Sequence, residues 1–172
     1  MERLLRETKV AAGILLTDDE LKPRGRLSRR SRDFSRWFVQ LKGRLLDRIA
    51  VEATDEAVAT RTGESMVIAG RTDRAFDSDK TLANRWWTLG QDGPKGSGQP
   101  FRGGLSYAKI SHLREPAGSL MVEFHAAFSE PEAWFQGAPI LRSKFAPIAQ
   151  DQIRKLRREL LKNRAKSAPA AP

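Results

Sequence analysis

The chain has 172 residues, no cysteine, and 31 basic against 21 acidic residues, which gives a net charge of +10. Its length fits one domain with a hydrophobic core, and the lack of cysteine excludes disulfides, thiol nucleophiles and cysteine-based metal sites. No stretch reaches the roughly 20 apolar residues of a membrane span, and no signal peptide is recognised. We therefore expect a cytoplasmic protein.

The strongest signal is a basic segment at residues 22–36, which we name the basic arm. Uncompensated positive charge repels itself unless an anion lies beside it, and arginine binds phosphate through a planar, bidentate group. The arm also runs into the aromatic residues Phe34, Trp37 and Phe38. We therefore expect it to bind DNA or RNA. Its basic residues are Lys22, Arg24, Arg26, Arg29, Arg30, Arg32 and Arg36.

Other interpretations of the arm remain open. It can be a solvated segment that is neutralised by acids folded nearby, or it can dock on an acidic protein partner. The chain has 21 arginines and 10 lysines, an excess that a GC-rich genome also produces. The composition alone therefore does not select nucleic acid.

Two long helices are predicted from apolar residues that recur at intervals of three or four. The first covers about residues 31–59, with Phe34, Phe38, Leu41, Leu45 and Ile49 on its apolar side. The second covers about residues 147–165, and its basic side offers a further set of candidate phosphate contacts. That set comprises Arg154, Arg157 and Arg158.

Between these helices the pattern favours β-structure. Strands are predicted at 105–113 and 120–128, and shorter apolar runs lie at 65–69 and 81–89. Residues 90–104 contain six glycines and two prolines, which predicts a long loop. The predicted fold is α+β, with a three- to four-stranded antiparallel sheet packed against both helices. One domain is expected at 1–165, with a disordered tail at 166–172.

Two shorter patterns concern helix starts. Thr17 and Glu20 have the form of a capping box, although Pro23 limits the helix that follows to about one turn. Ser129 followed by Glu132 predicts the start of a short helix that continues through Phe135.

Further candidate nucleic-acid contacts lie in the middle of the chain. Arg85 precedes Trp86 and Trp87, and the glycine-rich segment contains Lys95 and Arg102. Aromatic rings beside cationic groups stack on unpaired bases. Because neighbouring residues of a strand face opposite ways, one tryptophan is expected in the core. Structural packing of the aromatic residues is the competing interpretation.

Catalytic motifs are not found. The two histidines, His112 and His125, have no metal-ligand spacing, and no metal or cofactor is expected. An enzyme acting on a phosphorylated ligand would need Glu123 and His125 to converge with Lys95 or Arg102. The sequence favours a non-enzymatic nucleic-acid-binding accessory protein, of the kind carried by bacterial mobile elements. The alternative is an assembly subunit whose basic arm docks on an acidic partner.

Overall fold

The computed structural model describes residues 13–116, 118–137, 144, 146–147, 150–151, 153–155, 157–158 and 162. Contacts divide the chain into two compact units, one formed by Gly13–Pro131 and the other by Met1–Ala12 with Glu132–Pro172. The single domain at 1–165 stays a prediction. The tail predicted at 166–172 lies outside the described residues.

The larger unit is mostly β, with one antiparallel sheet of nine strands. The main path runs β1-β3-β4-β5-β8-β9, while β2 pairs with β3 and the β6–β7 hairpin joins β4. The strands are Gly13–Leu15 (β1), Arg29–Arg30 (β2), Phe34–Leu45 (β3), Ile49–Arg61 (β4), Ser65–Thr72 (β5), Arg85–Gly90 (β6), Gly93–Pro100 (β7), Gly104–His112 (β8) and Leu120–Phe128 (β9).

Helical structure in this unit is short. Helix α1, Asp18–Leu21, continues into a 3₁₀ turn at Lys22–Arg24. The Thr17 side chain accepts from the Glu20 backbone N–H, and the Glu20 carboxylate accepts from the Thr17 N–H at 2.7 Å. The predicted capping box is therefore confirmed. Two further 3₁₀ turns are Arg74–Phe76, in this unit, and Trp134–Gly137, in the smaller unit.

The predicted α+β architecture is wrong, because the helix expected at 31–59 is the β3–β4 hairpin. Apolar residues spaced by four, such as Phe34 and Phe38, also fit a strand that alternates with period two. β-Branched residues in β4 favour the pleated conformation. The connecting turn places Leu46 and Asp47 at φ of 51°, a left-handed conformation that no helix contains.

Other expectations have mixed outcomes. The strands predicted at 105–113 and 120–128 are confirmed by β8 and β9, but the predicted loop at 90–104 contains β7. Helical structure after Ser129 starts only at Trp134, as a 3₁₀ turn. In the second predicted helix, the described positions from 144 to 162 are helical and exposed, and the others lie outside the described residues.

Antiparallel register gives the sheet two faces, which we name the Phe38 face and the Phe124 face after one residue on each. A buried cluster packs on part of the Phe38 face, where Phe38 is only 1% exposed. Helix α1 and the segment at 73–84 contribute the residues that cover it. The cluster consists of Leu16, Leu21, Phe38, Phe76 and Leu82.

A break in the pairing of β4 is closed by one side chain. Along one side, β4 pairs with β6 over residues 49–52 and with β5 over residues 55–61. Between them, the Thr54 N–H donates to Asn84 Oδ1 at 2.8 Å, and the Thr54 carbonyl accepts from the Asp73 N–H at 2.9 Å. Asn84 Nδ2 also donates to the Asp73 carbonyl at 3.0 Å and to Asp77 Oδ1 at 2.7 Å. Asn84 therefore substitutes for the missing strand.

Replacing Asn84 with alanine should lower the free energy of unfolding by about 2–4 kcal/mol, because it leaves the buried Thr54 N–H without an acceptor. Urea unfolding followed by tryptophan fluorescence measures the change. The exposed turn residue Gln91 provides the control, and Q91A should stay within about 0.5 kcal/mol of the wild type. Equal effects of the two substitutions would contradict the assignment.

Candidate nucleic-acid interface

The first half of the basic arm is folded onto the protein's own carboxylates. Arg24 donates to both carboxylate oxygens of Asp79, at 2.5 and 3.1 Å. Arg26 grips Asp73 in the same way, at 2.6 and 3.1 Å. Arg24 and Arg26 are therefore engaged by internal carboxylates that stabilise the fold, and their contact with an external anion stays a prediction.

Asp79 and Asp73 are stabilised in their charged forms. The hydrogen bond from Arg24, aided by the backbone N–H groups of Thr81 and Leu82, holds the pKa of Asp79 well below its usual range. Burial raises the pKa of Asp73, but the hydrogen bonds from Arg26 and the Ala75 N–H outweigh it and leave a lowered pKa. Both carboxylates consequently stabilise the native state at neutral pH.

The second half of the arm reaches the surface on β2. Arg29 lies directly opposite Arg36 of β3, so two guanidinium groups share the Phe38 face. Like charges in opposite positions destabilise a sheet unless an anion lies beside them. The Arg29 guanidinium lies 6.0 Å from the Phe34 ring centroid, while Arg36 Nε contacts Glu56 at 3.1 Å.

The exposed arginines of this half are Arg29, Arg30, Arg32 and Arg36. Arg30 lies opposite Ser35 and therefore projects from the Phe124 face. Within the part of the chain that the structure describes, no carboxylate pairs with Arg29 or Arg32. These guanidinium groups are therefore in a position to meet an anion from solution.

The strand register extends this site across the sheet. Residues that lie opposite one another on successive strands form a row across the Phe38 face, from two arginines at one end to an aromatic pair at the other. Arg71 and Lys109 lie on the same face, in the two rows next to it. Six strands at about 4.8 Å spacing give the row a length of about 24 Å. We name this row, with Arg71 and Lys109, the open basic face. In order, the row is Arg29, Arg36, Val58, Ala69, Tyr107 and His125.

One acid near the arginine end is shared. Glu56 forms an ion pair with Arg36 Nε at 3.1 Å and accepts a hydrogen bond from Arg71 Nη2 at 3.0 Å, and only 13% of its side chain is exposed. The side chains of Arg36 and Arg71 are 45% and 75% exposed. Their guanidinium groups keep further N–H donors that do not contact Glu56. A cavity of about 430 Å³ opens here, lined by Gly25, Arg26, Leu27, Arg36, Phe38, Glu56 and Arg71.

The other end of the row is aromatic. The Tyr107 and His125 rings face each other across β8 and β9, with centroids 5.9 Å apart and planes tilted by 52°. Tyr107 is half-buried and His125 is exposed. Tyr107 is not among the candidates predicted from the sequence. Its position two residues before Lys109 on a predicted strand does place both residues on the same face. The strand register that aligns Tyr107 with Arg36 cannot be read from any local sequence pattern.

The tryptophan and glycine-rich candidates are not free to stack. Trp86 is buried, at 6% exposure, which confirms that one tryptophan of the pair belongs to the core. The Trp87 ring lies against Gly98, where an added Cβ would be 2.6 Å from it. Phe101 is buried as well. Arg85, Lys95 and Arg102 are exposed, and Arg85 lies opposite Glu52.

The remaining predicted contacts lie elsewhere. Arg154, Arg157 and Arg158 are exposed helical residues of the smaller unit, where they line a shallow depression with Asp151. Contact with Lys155 keeps the pKa of that aspartate low.

One form of the grouping that an enzyme would require, the one with Lys95, is not formed by the described strands. Lys95 on β7 is five pairing steps from Glu123 on β9, through β6, β4, β5 and β8. His112 and His125 project from opposite faces, according to the β8–β9 register. Within the described part of the chain, no three histidine or acidic side chains gather in a way that would hold a metal ion.

The fold and site define a mostly β protein with an open basic and aromatic sheet face. Comparison with known protein families, curated proteins and solved structures finds no match. Among the described residues, no helix has the length and apolar character needed to cross a membrane.

Replacing Arg24 with alanine should lower the free energy of unfolding by about 1–2 kcal/mol at neutral pH, because Asp79 loses its charge partner. Folding lowers the pKa of Asp79, so its contribution is complete above the unfolded-state value of about 3.9 and is lost as pH falls through the folded-state value. The stability difference between R24A and wild type should therefore shrink in acid.

Urea titrations at several pH values between about 7 and 2 measure this difference. The exposed pair of Lys22 and Asp19, 3.3 Å apart, is the control, and K22A should change stability by no more than about 0.5 kcal/mol. A pH-independent effect of R24A would contradict the role of Asp79.

Proposed function

We propose that the protein is a non-enzymatic nucleic-acid-binding protein that holds a single strand across the open basic face. The carrying observation is the facing pair of Arg29 and Arg36, aligned in one row with Tyr107 and His125. The cationic side chains at one end of the row would bind phosphates, and the aromatic rings at the other end would stack on bases.

Phosphate binding is assigned to the arginine end. Arg29 on β2 and Arg32 in the turn that follows it are exposed, and Arg36 and Arg71 retain N–H donors beside Glu56. Guanidinium groups bind phosphate oxygens in a bidentate manner. If about four phosphates are neutralised on a single strand, log K should fall with log salt with a slope near −3.

A single strand fits this surface better than a duplex. Base stacking needs unpaired bases that leave their own stack, and exposed rings on a sheet surface can receive them. By contrast, reading the major groove of a duplex requires a protruding helix or two-stranded ribbon. The long row of small and aromatic side chains offers a surface for stacking along an extended strand. The accessory role in a mobile element stays a prediction.

Substituting Arg29, Arg32 and Arg71 together with glutamine should weaken binding to a single-stranded oligonucleotide by about 10- to 100-fold and reduce the salt slope by about 2, because three phosphate contacts are lost. Fluorescence anisotropy of a labelled oligonucleotide across a salt series measures both quantities.

The matched control removes the same charge from another part of the larger unit. Arg44, Arg48 and Lys95 are exposed and lie at the β3–β4 turn or on β7. Their joint replacement with glutamine should change affinity much less. Equal losses in both triple variants would indicate non-specific attraction only. Failure of the wild type to bind at about 50 mM salt would contradict the proposal and favour the acidic protein partner.

Tyr107 gives a separate test of base stacking. Y107A should weaken binding of the single strand by about 5- to 100-fold, whereas Y107F should bind nearly as the wild type does, since the ring is retained. An oligonucleotide of the same length made of abasic sites should bind Y107A and wild type equally. If Y107A lost affinity for both oligonucleotides alike, Tyr107 would be acting on the fold and not on bases.

A further inference from the structure

Strand β9 ends the main path of the sheet, and no described strand pairs with its outer side. Alternate residues of β9 form an apolar row on the Phe124 face that is unusually open to solvent. Phe124 itself is 54% exposed. The row consists of Leu120, Val122, Phe124, Ala126 and Phe128. An open, nine-residue apolar edge is the kind of strand that pairs with another chain.

The hydrogen bonds at both ends of the β8–β9 ladder fix which backbone groups remain available. The Ser129 N–H donates to the Gly103 carbonyl at 2.9 Å, and the Leu113 N–H donates to the Ser119 carbonyl at 2.9 Å. Odd-numbered positions therefore form the hydrogen-bonded pairs with β8. The N–H and C=O groups of even-numbered β9 residues, the same residues that form the apolar row, point to the open edge.

We infer that β9 pairs with β9 of a second copy of this chain, antiparallel and centred on Phe124. In this register, Leu120 meets Phe128, Val122 meets Ala126, and Phe124 meets itself. Each pair joins even-numbered positions, so the outward N–H and C=O groups match. Apolar cross-strand pairs of this kind stabilise a sheet.

Charge selects this register over its neighbours. The two titratable residues of β9 are Glu123 and His125, and the Phe124-centred register places each opposite the other, twice, across the two-fold axis. A register centred on residue 123 would place Glu123 opposite Glu123, and one centred on 125 would place the histidines together. Both neighbouring registers satisfy the backbone direction. The register centred on 123 sets two carboxylates opposite each other, which is unfavourable, and the register centred on 125 places Glu123 opposite Ala127, without a polar partner.

A second copy of β9 is thus a suitable partner for the open edge of β9. A closed two-fold interface uses the same patch on both copies, and β9 is self-complementary in backbone direction, apolar contact and charge. The sheet would continue from one copy into the next, with the open basic faces on the same side. The interface is small, so dimerisation in the micromolar range is expected.

Charge exchange tests the pairing. Sedimentation equilibrium of the full chain, from about 1 to 200 µM, should show a monomer–dimer equilibrium for the wild type. H125E places two carboxylates opposite each other at two positions and should raise the dimer Kd at least tenfold. The double variant E123H/H125E restores opposite partners and should return the Kd to within about threefold of the wild type.

Crosslinking tests the register directly, because the chain has no native cysteine. Met121 lies opposite Ala127 of the second copy in the proposed register. A mixture of M121C and A127C proteins should form a disulfide-linked dimer on mild oxidation. Each variant alone should not, because its cysteines lie about six residues, or roughly 20 Å, apart along the paired strands.

A wild type that stays monomeric up to about 200 µM would overturn the inference. So would a dimer whose Kd is unchanged in H125E, or a dimer in which the cysteine mixture links no better than the single variants. Circular dichroism of every variant should match the wild type, so that a loss of dimer is not a loss of fold. A failure to bind nucleic acid would leave this outcome unaffected, since the dimer is measured in the absence of nucleic acid.

Discussion

The larger unit depends on hydrogen-bond partners for the buried backbone N–H and C=O groups of Thr54. A long strand that changes partners halfway along one side must leave a backbone group between the two ladders, and a buried N–H without an acceptor is costly. Asn84 answers this need from a segment that is distant in sequence. Its amide also binds Asp73 and Asp77, which fixes the whole 73–84 segment on the Phe38 face.

The position of the basic arm follows from that anchored segment. Asp73 and Asp79 sit within it, and they receive Arg26 and Arg24 respectively. Once these arginines are held, the chain leaves the 3₁₀ turn and pairs as β2, which sets Arg29 opposite Arg36. Within the basic arm, some arginines therefore form internal ion pairs and others expose their guanidinium groups to solvent. The paired arginines position the strand that carries the exposed ones.

Sequence reasoning could identify the local features but not the architecture. The Thr17 capping box and strands β8 and β9 depend on neighbouring residues, so their patterns were sufficient. The β3–β4 hairpin was mistaken for a helix because Phe34 and Phe38 satisfy both periods, and its turn uses Leu46 and Asp47 in place of the expected glycine. The site was only half predictable. Charge density indicated the arm, but which arginines were neutralised depended on partners more than 45 residues away.

Glu56 has a further consequence for the arginines it joins. In the absence of a ligand, Glu56 reduces the repulsion between Arg36 and Arg71. Under the proposed function, a phosphate would have to compete with this carboxylate for the arginines, so that binding would exchange one anion for another. Such an exchange would favour short residence times and easy transfer along a polymer over tight, static retention.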